Sequence, residues 1–179
     1  MALRKASAYS RMKARPYTRK SAVKAKSYIR TIPPQKISKF QMGDKKGYEA
    51  GKLKFVTNIL SGEDIMIRDN AIEAARQYVH KILEENVNGQ YYMEVKVAPH
   101  HILRENKMLT GAGADRMQTG MQLSFGKTIG RAAQVKKNQS IFFVAALTDK
   151  GRRTAMEAFG RVKAKLPGHC KLSMENLKF

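Results

Sequence analysis

The sequence predicts an α+β domain, a mainly antiparallel sheet covered by two amphipathic helices, preceded by a basic N-terminal extension. Three observations lead there. Short alternating segments separated by glycines read as strands, two longer stretches repeat their apolar residues at helical spacing, and the excess positive charge lies towards the two ends of the 179 residues. Lys and Arg number 35 against 14 Asp and Glu, for a formal net charge of +21. Residues 1–43 contain twelve of the cations and no acid, 44–115 are nearly neutral, and 116–179 contain thirteen cations and three acids.

The first thirty residues interleave Tyr9, Tyr17 and Tyr28 with Arg and Lys and keep neither a 3.6 nor a 2 period. They are expected to form an extended, solvated arm that orders on binding, with Arg4, Lys5, Arg11, Arg15, Arg19 and Lys20 as phosphate contacts. Thr31-Ile32-Pro33-Pro34 is a stiff joint, because each proline fixes its own φ and restricts the residue before it. It divides the arm, 1–34, from a single domain, 35–179.

Ile37, Phe40 and Met42 suggest a short strand, and 52–58 a second with Leu53 and Phe55 on the buried face; Gly43, Gly47 and Gly51 read as turns. From Asp69 the period changes. Ala71, Ile72, Ala75, Tyr78, Val79, Ile82 and Leu83 recur at helical spacing, Asp69 or Asn70 supplies the cap, and Asn88-Gly89 ends the helix. Residues 92–98 alternate again, with Met93, Val95 and Val97 on one side.

Residues 100–131 hold five of the thirteen glycines and little periodicity, so they read as one long loop. Arg104, Lys107, Arg116, Lys127 and Arg131 outnumber Glu105 and Asp115 there, and amide and hydroxyl donors lie between them. Such a mixture suits a phosphate-rich surface. Ser140–Leu147 then reads as a buried strand. Thr148 or Asp149 caps a second helix with an apolar face of Ala155, Met156, Phe159, Val162 and Leu166. Its opposite face carries Arg152, Arg153, Arg161, Lys163 and Lys165, and the three arginines are assigned to RNA phosphates. Leu166-Pro167-Gly168 stops the helix, and Cys170, Leu172 and Met174 alternate as a closing strand.

A charge of +21 calls for a polyanionic partner, and nucleic acid is the leading one. No apolar run reaches about 18 residues and no basic helix has a broad apolar face, which argues against a membrane partner. A single cysteine, Cys170, and a charged start fit a reducing cytosol. Gly111-Ala112-Gly113 has neither the dinucleotide-binding nor the P-loop spacing. His100 and His101 are adjacent in the loop, and with His80 and His169 they make no metal-binding pattern. No catalytic group, metal or cofactor is therefore expected.

The run Ala114-Asp115-Arg116, then Gly120-Met121, Phe125-Gly126-Lys127 and Gly130, resembles the large-subunit ribosomal protein family known as ten-e in archaea and eukaryotes, the counterpart of bacterial large-subunit protein sixteen. The likeness extends upstream through Asn106-Lys107-Met108-Leu109 and Gly113, and to Tyr17-Thr18-Arg19 in the arm. Two positions depart: Gln122 stands where the family commonly has Arg, and Thr128 where it commonly has Pro. The resemblance implies an α/β-hammerhead fold and a non-enzymatic place on large-subunit rRNA, near 5S rRNA and the peptidyl-transferase centre. Neighbouring ribosomal proteins and tRNA are the further partners it implies, with Arg104, Lys107, Met108, Gly111 and Gly113 on a loop directed towards tRNA. A free regulator would need a helix-turn-helix, RRM or KH pattern, and an RNA-modifying enzyme an acid/base pair; neither is visible.

Overall fold

In the computed structural model, residues 4–13, 17–18, 29, 31–106 and 126–176 are described. The elements in chain order are β1 (Gln41–Gly43), α1 (Lys45–Glu49), β2 (Phe55–Ser61), β3 (Ile65–Arg68), α2 (Asp69–Val87), β4 (Tyr91–Val95), β5 (His101–Glu105), β6 (Lys127–Val135), β7 (Ser140–Ala146), α3 (Asp149–Val162) and β8 (Cys170–Asn176). Strands and helices of this kind make an α+β protein, as the sequence predicts. Its strands form two antiparallel sheets where one was expected. The larger has the order β1-β4-β7-β2-β8 and the smaller the order β3-β6-β5.

The helices follow directly from their apolar periods. On α2, Ala71, Ile72, Ala75, Val79, Leu83 and Val87 make a buried stripe, and Asp69 in the first turn suits the positive end of the helix dipole. Thr148 caps α3 by accepting from the Gly151 N–H at 3.2 Å, and Ala155, Ala158, Phe159 and Val162 are its buried side. Met156 is only half-buried. Both helices pack on the face of the larger sheet that carries Ile59, Met93, Val95, Phe142 and Val144, which is the main core.

Several expectations need correction. Of the strand expected around residues 37–42, only Gln41–Gly43 pairs; Ile37 is buried and Phe40 partly so from an extended lead-in. Leu53 lies ahead of β2 and is buried with Val56 on the sheet's other face, while Phe55 is half-buried. Gly47 lies inside α1, capped by Asp44, and is not a turn. Gly43 is a true glycine position: its φ is +88° and a Cβ there would meet the Tyr91 carbonyl oxygen at 2.2 Å.

The larger correction concerns 100–131. Its two ends are strands, β5 and β6, paired from His101↔Ala132 to Glu105↔Lys127, so the segment between them is much shorter than a loop of that length. The alternation in this stretch is weak because the smaller sheet is covered on both sides, which removes the polar-out signal. The same cause hides β3, whose Ile65, Met66 and Ile67 are all buried. Ile65 and Ile67 join the main core, while Met66 joins Leu103 and Ala132 on the opposite face.

What covers that opposite face is the arm. Tyr9 packs on Met66, Leu103 and Ala132. The Met66 N–H donates to the Ser10 carbonyl at 2.8 Å on the free edge of β3, and the Ile102 N–H to the Tyr17 carbonyl at 3.0 Å on the free edge of β5. Between them, Gln134 on β6 donates to the Lys13 carbonyl at 3.2 Å. The described arm residues thus cross the smaller sheet as a strap, in place of the solvated tail that their composition suggests. Their cations stay outside while apolar surface and two strand edges find partners.

Candidate nucleic-acid interface

The strap and the smaller sheet bring several of the expected cations to one end of that sheet. Arg4 pairs with Glu105 and donates to the Tyr9 hydroxyl at 2.7 Å. Arg68 holds the same part of the arm, donating to the Arg4 and Lys5 carbonyls at 2.9 and 2.7 Å. Arg104 lies with its guanidinium carbon 3.7 Å from the centre of the Tyr17 ring. Its Nη1 is buried without a hydrogen-bond partner among the described residues. Lys127 opens β6 opposite Glu105 and is exposed, as are Lys5 and Arg11. Arg4 and Lys127 therefore meet at Glu105 where β5 leaves the sheet and β6 enters it, with Arg104 at the preceding position of β5.

Arg131, an expected contact, and His101, read as a loop residue, also hold the fold together. Arg131 is half-buried, and its Nε donates to the Pro33 carbonyl at 2.8 Å, which pins the proline joint to β6. His101 is no loop residue: it is buried in β5, and its Nδ1 accepts from the Tyr17 N–H at 2.7 Å. Burial first, then the charges of Lys13 and Arg104, pushes its pKa below the ordinary imidazole value. The neutral ring is what that acceptor role requires. Arg15, Arg19, Lys20, Lys107, Met108, Gly111, Gly113 and Arg116 lie outside the described residues.

A second cationic group lies on α3. Arg152 and Arg153 share Asp149 at 2.5 and 2.8 Å, and Arg161 meets Glu157 at 2.5 Å. These are exposed pairs, worth little to stability, so the guanidinium groups can exchange carboxylate for phosphate at small cost. A hydrogen bond with Tyr78 is the main cause raising the Arg161 pKa, and the side chain is charged at any physiological pH. Lys165 lies over the Tyr78 ring at 5.4 Å.

Among the described residues no group of three or more His, Cys, Asp or Glu can hold a metal ion, and no helix is long and apolar enough to cross a membrane. Cys170 is half-buried at the start of β8, and burial raises its pKa, which makes it a poor nucleophile. Sequence reasoning missed the anchoring parts of this surface: Tyr9, Arg68 and Gln134. The signal that points to them is the unbroken apolar run Ile65-Met66-Ile67, since a strand buried on both faces needs a third layer.

An α+β scaffold with two cationic surfaces and a strapped basic arm defines a protein built to hold a polyanion. Residues 12–173 match the family model described as Ribosomal protein L16p/L10e, and the chain belongs to that family. It is 42% identical over 173 residues, 96% of this chain and 94% of the relative, to the large ribosomal subunit protein uL16 of Methanococcus maripaludis. The proteins of the same name from Caldivirga maquilingensis and Hyperthermus butylicus are 39% and 43% identical. Those matches cover 97% and 85% of this chain and 95% and 79% of the respective relatives. The family is one of ribosomal structural proteins, not enzymes.

Proposed function

We propose that this chain is a structural constituent of the large ribosomal subunit that binds rRNA near 5S rRNA and helps place tRNA beside the peptidyl-transferase centre. The observation that carries the reading is the near full-length family match, and the cationic end of the smaller sheet supports it. Large-subunit rRNA, 5S rRNA, tRNA and neighbouring ribosomal proteins are its partners, and the cytoplasmic ribosome is its location. The basic extension 1–34 and the domain 35–179, with the hammerhead arrangement of its sheets, belong to the same reading. Arg4, Lys5, Arg11, Arg15, Arg19, Lys20, Arg116, Lys127, Arg131 and the α3 arginines face rRNA, while the segment from Arg104 through Lys107, Met108, Gly111 and Gly113 faces tRNA. No residue carries out chemistry.

The first test is sedimentation: the protein stays with large subunits through a moderate-salt wash, and a protein that runs free contradicts the proposal. Arg152→Gln, Arg153→Gln and Arg161→Gln together should lower the salt dependence of rRNA binding by about two log units per log of salt, at roughly 0.7–0.9 per phosphate contact. An unchanged slope places α3 away from RNA.

The tRNA assignment has its own test. Deleting 106–112 should leave incorporation into subunits intact and slow tRNA binding and elongation. Ribosomes that elongate at the parental rate with the deleted protein would refute the tRNA contact, leaving the rRNA reading untouched.

A further inference from the structure

The helices α2 and α3 cover one face of the larger sheet, and the other, which meets only the short α1 among the described helices, should be mostly polar. It is not. The β4-β7-β2 register places Tyr92 beside Ala145 and Val56 in one cross-strand row, and Glu94, Phe143 and Asn58 in the next. Tyr48 of α1 stacks on Tyr92 with 4.9 Å between ring centres and 13° between planes. It meets Phe143 edge-on at 5.4 Å. Tyr92 is buried beneath this group, whereas Tyr48 and Phe143 stay half-exposed on a central part of the sheet. Tyr48 and Phe143 pack against a small satellite core of Leu53, Val56, Tyr92 and Ala145, and each keeps part of its ring at the surface.

The cations around the rings say what covers them. Lys96 Nζ sits 5.1 Å over the Phe143 ring, and Glu94 at 2.5 Å holds it there. Lys54, which leads into β2, is exposed, and so is Lys171 on the edge strand β8. A protein partner would meet a patch depleted of lysine at its centre. Aromatic rings interleaved with lysines are instead the pattern that stacks an unpaired base and neutralises its phosphates.

We propose that Tyr48 is a stacking platform for one unpaired nucleobase of rRNA, with Phe143 edge-on beside it and Lys96 and Lys54 at the adjoining phosphates. This rests on the reading of the chain as an rRNA-binding protein, but uses a surface which that reading does not assign. The platform is separate from the strap and from α3, so it can be tested apart from them.

The probe is a short single-stranded RNA carrying 2-aminopurine among uridines, titrated into the full-length protein. Stacking should quench its fluorescence. Tyr48→Leu should weaken binding by about fivefold or more and remove the quench, and Phe143→Leu, which takes away the edge contact, should weaken binding as well. Melting curves report whether either variant is still folded, and Lys96→Gln, on the surface, should keep the quench while lowering the salt dependence. The triple α3 variant should bind more weakly with its quench intact. RNA binding by the parent without quenching, or quenching that survives Tyr48→Leu, overturns the platform alone. No RNA binding together with no retention on large subunits overturns both readings. In assembled subunits, a photocrosslinker in place of Leu147, which is 43% exposed just beyond β7, should label rRNA. Labelling of protein alone also overturns the platform.

Discussion

Removing residues 1–18 should both destabilise the domain and flatten the salt dependence of its RNA binding. The stability loss comes from the strap: Met66 and Leu103 are 2% and 5% exposed with Tyr9 packed on them, and both lose cover in the truncated chain. Fully burying side chains of this size contributes about 1.5–3 kcal/mol each. The arm covers one side of each, and its ordering opposes the gain, so a net cost of about 2–3 kcal/mol is expected. A fall in melting temperature of roughly 5–10 °C follows for a chain of this size. The electrostatic loss comes from Arg4, Lys5, Arg11, Lys13 and Arg15. If most of them reach phosphate, the slope of log binding against log salt should drop by about three. Tyr9→Ala separates the two effects, because it strips packing and keeps every charge. It should lower the melting temperature and leave the slope alone. A truncated chain that melts with the parent would mean that the strap contributes nothing to the folded state.

Those two roles of the arm illustrate what was legible in the residues. The helices α2 and α3 were readable because each has one apolar stripe and one wet face, so burial leaves a 3.6 period in the sequence. Strands β4 and β7 were readable as alternation and as a short apolar run. The smaller sheet was not. Its outer side is closed by the arm, and Met66 and Ala132 had to be apolar where a solvated face would be polar. The cations of the interface were visible as composition, yet their geometry depended on pairings between distant residues: Arg4 with Glu105, Tyr17 with His101, and Arg131 with Pro33. No local pattern announces such contacts. The motif 114–130 carried the family resemblance without any of this geometry.

Glu73→Ala should be the most damaging single change in the domain outside its apolar core. Glu73 and Arg76 lie one turn apart on α2 with side chains only 13% and 7% exposed, joined by a bond of 2.7 Å from Nη2 and another of 2.8 Å from Nε. Arg76 also donates to the Ser38 hydroxyl at 3.0 Å and lies against the Met42 sulfur, so this pair ties the lead-in of β1 to the helix. Deleting the carboxylate strands a guanidinium that water cannot reach, which costs about 3–5 kcal/mol in comparable buried pairs. The double change Glu73→Ala with Arg76→Met should recover most of that loss, since no buried charge is left. The same pair sets the acid response. The Arg76 hydrogen bond, ahead of the smaller contributions of Gln77 and the Ser38 N–H, brings the Glu73 pKa down to about 2 from an ordinary 4.5. A depressed carboxyl stabilises the fold fully above its unfolded value and loses that contribution as pH falls towards its folded one, so the window is from about pH 4.5 to 2. At about 1.4 kcal/mol per unit, roughly 3 kcal/mol disappears across it. Urea unfolding at pH 6 and pH 3 measures the effect. The parent should lose stability between the two, and the double variant should lose less by an amount that isolates this pair. An identical loss in both proteins would show that the acid sensitivity comes from other carboxylates and that Glu73 is not held by Arg76 in solution.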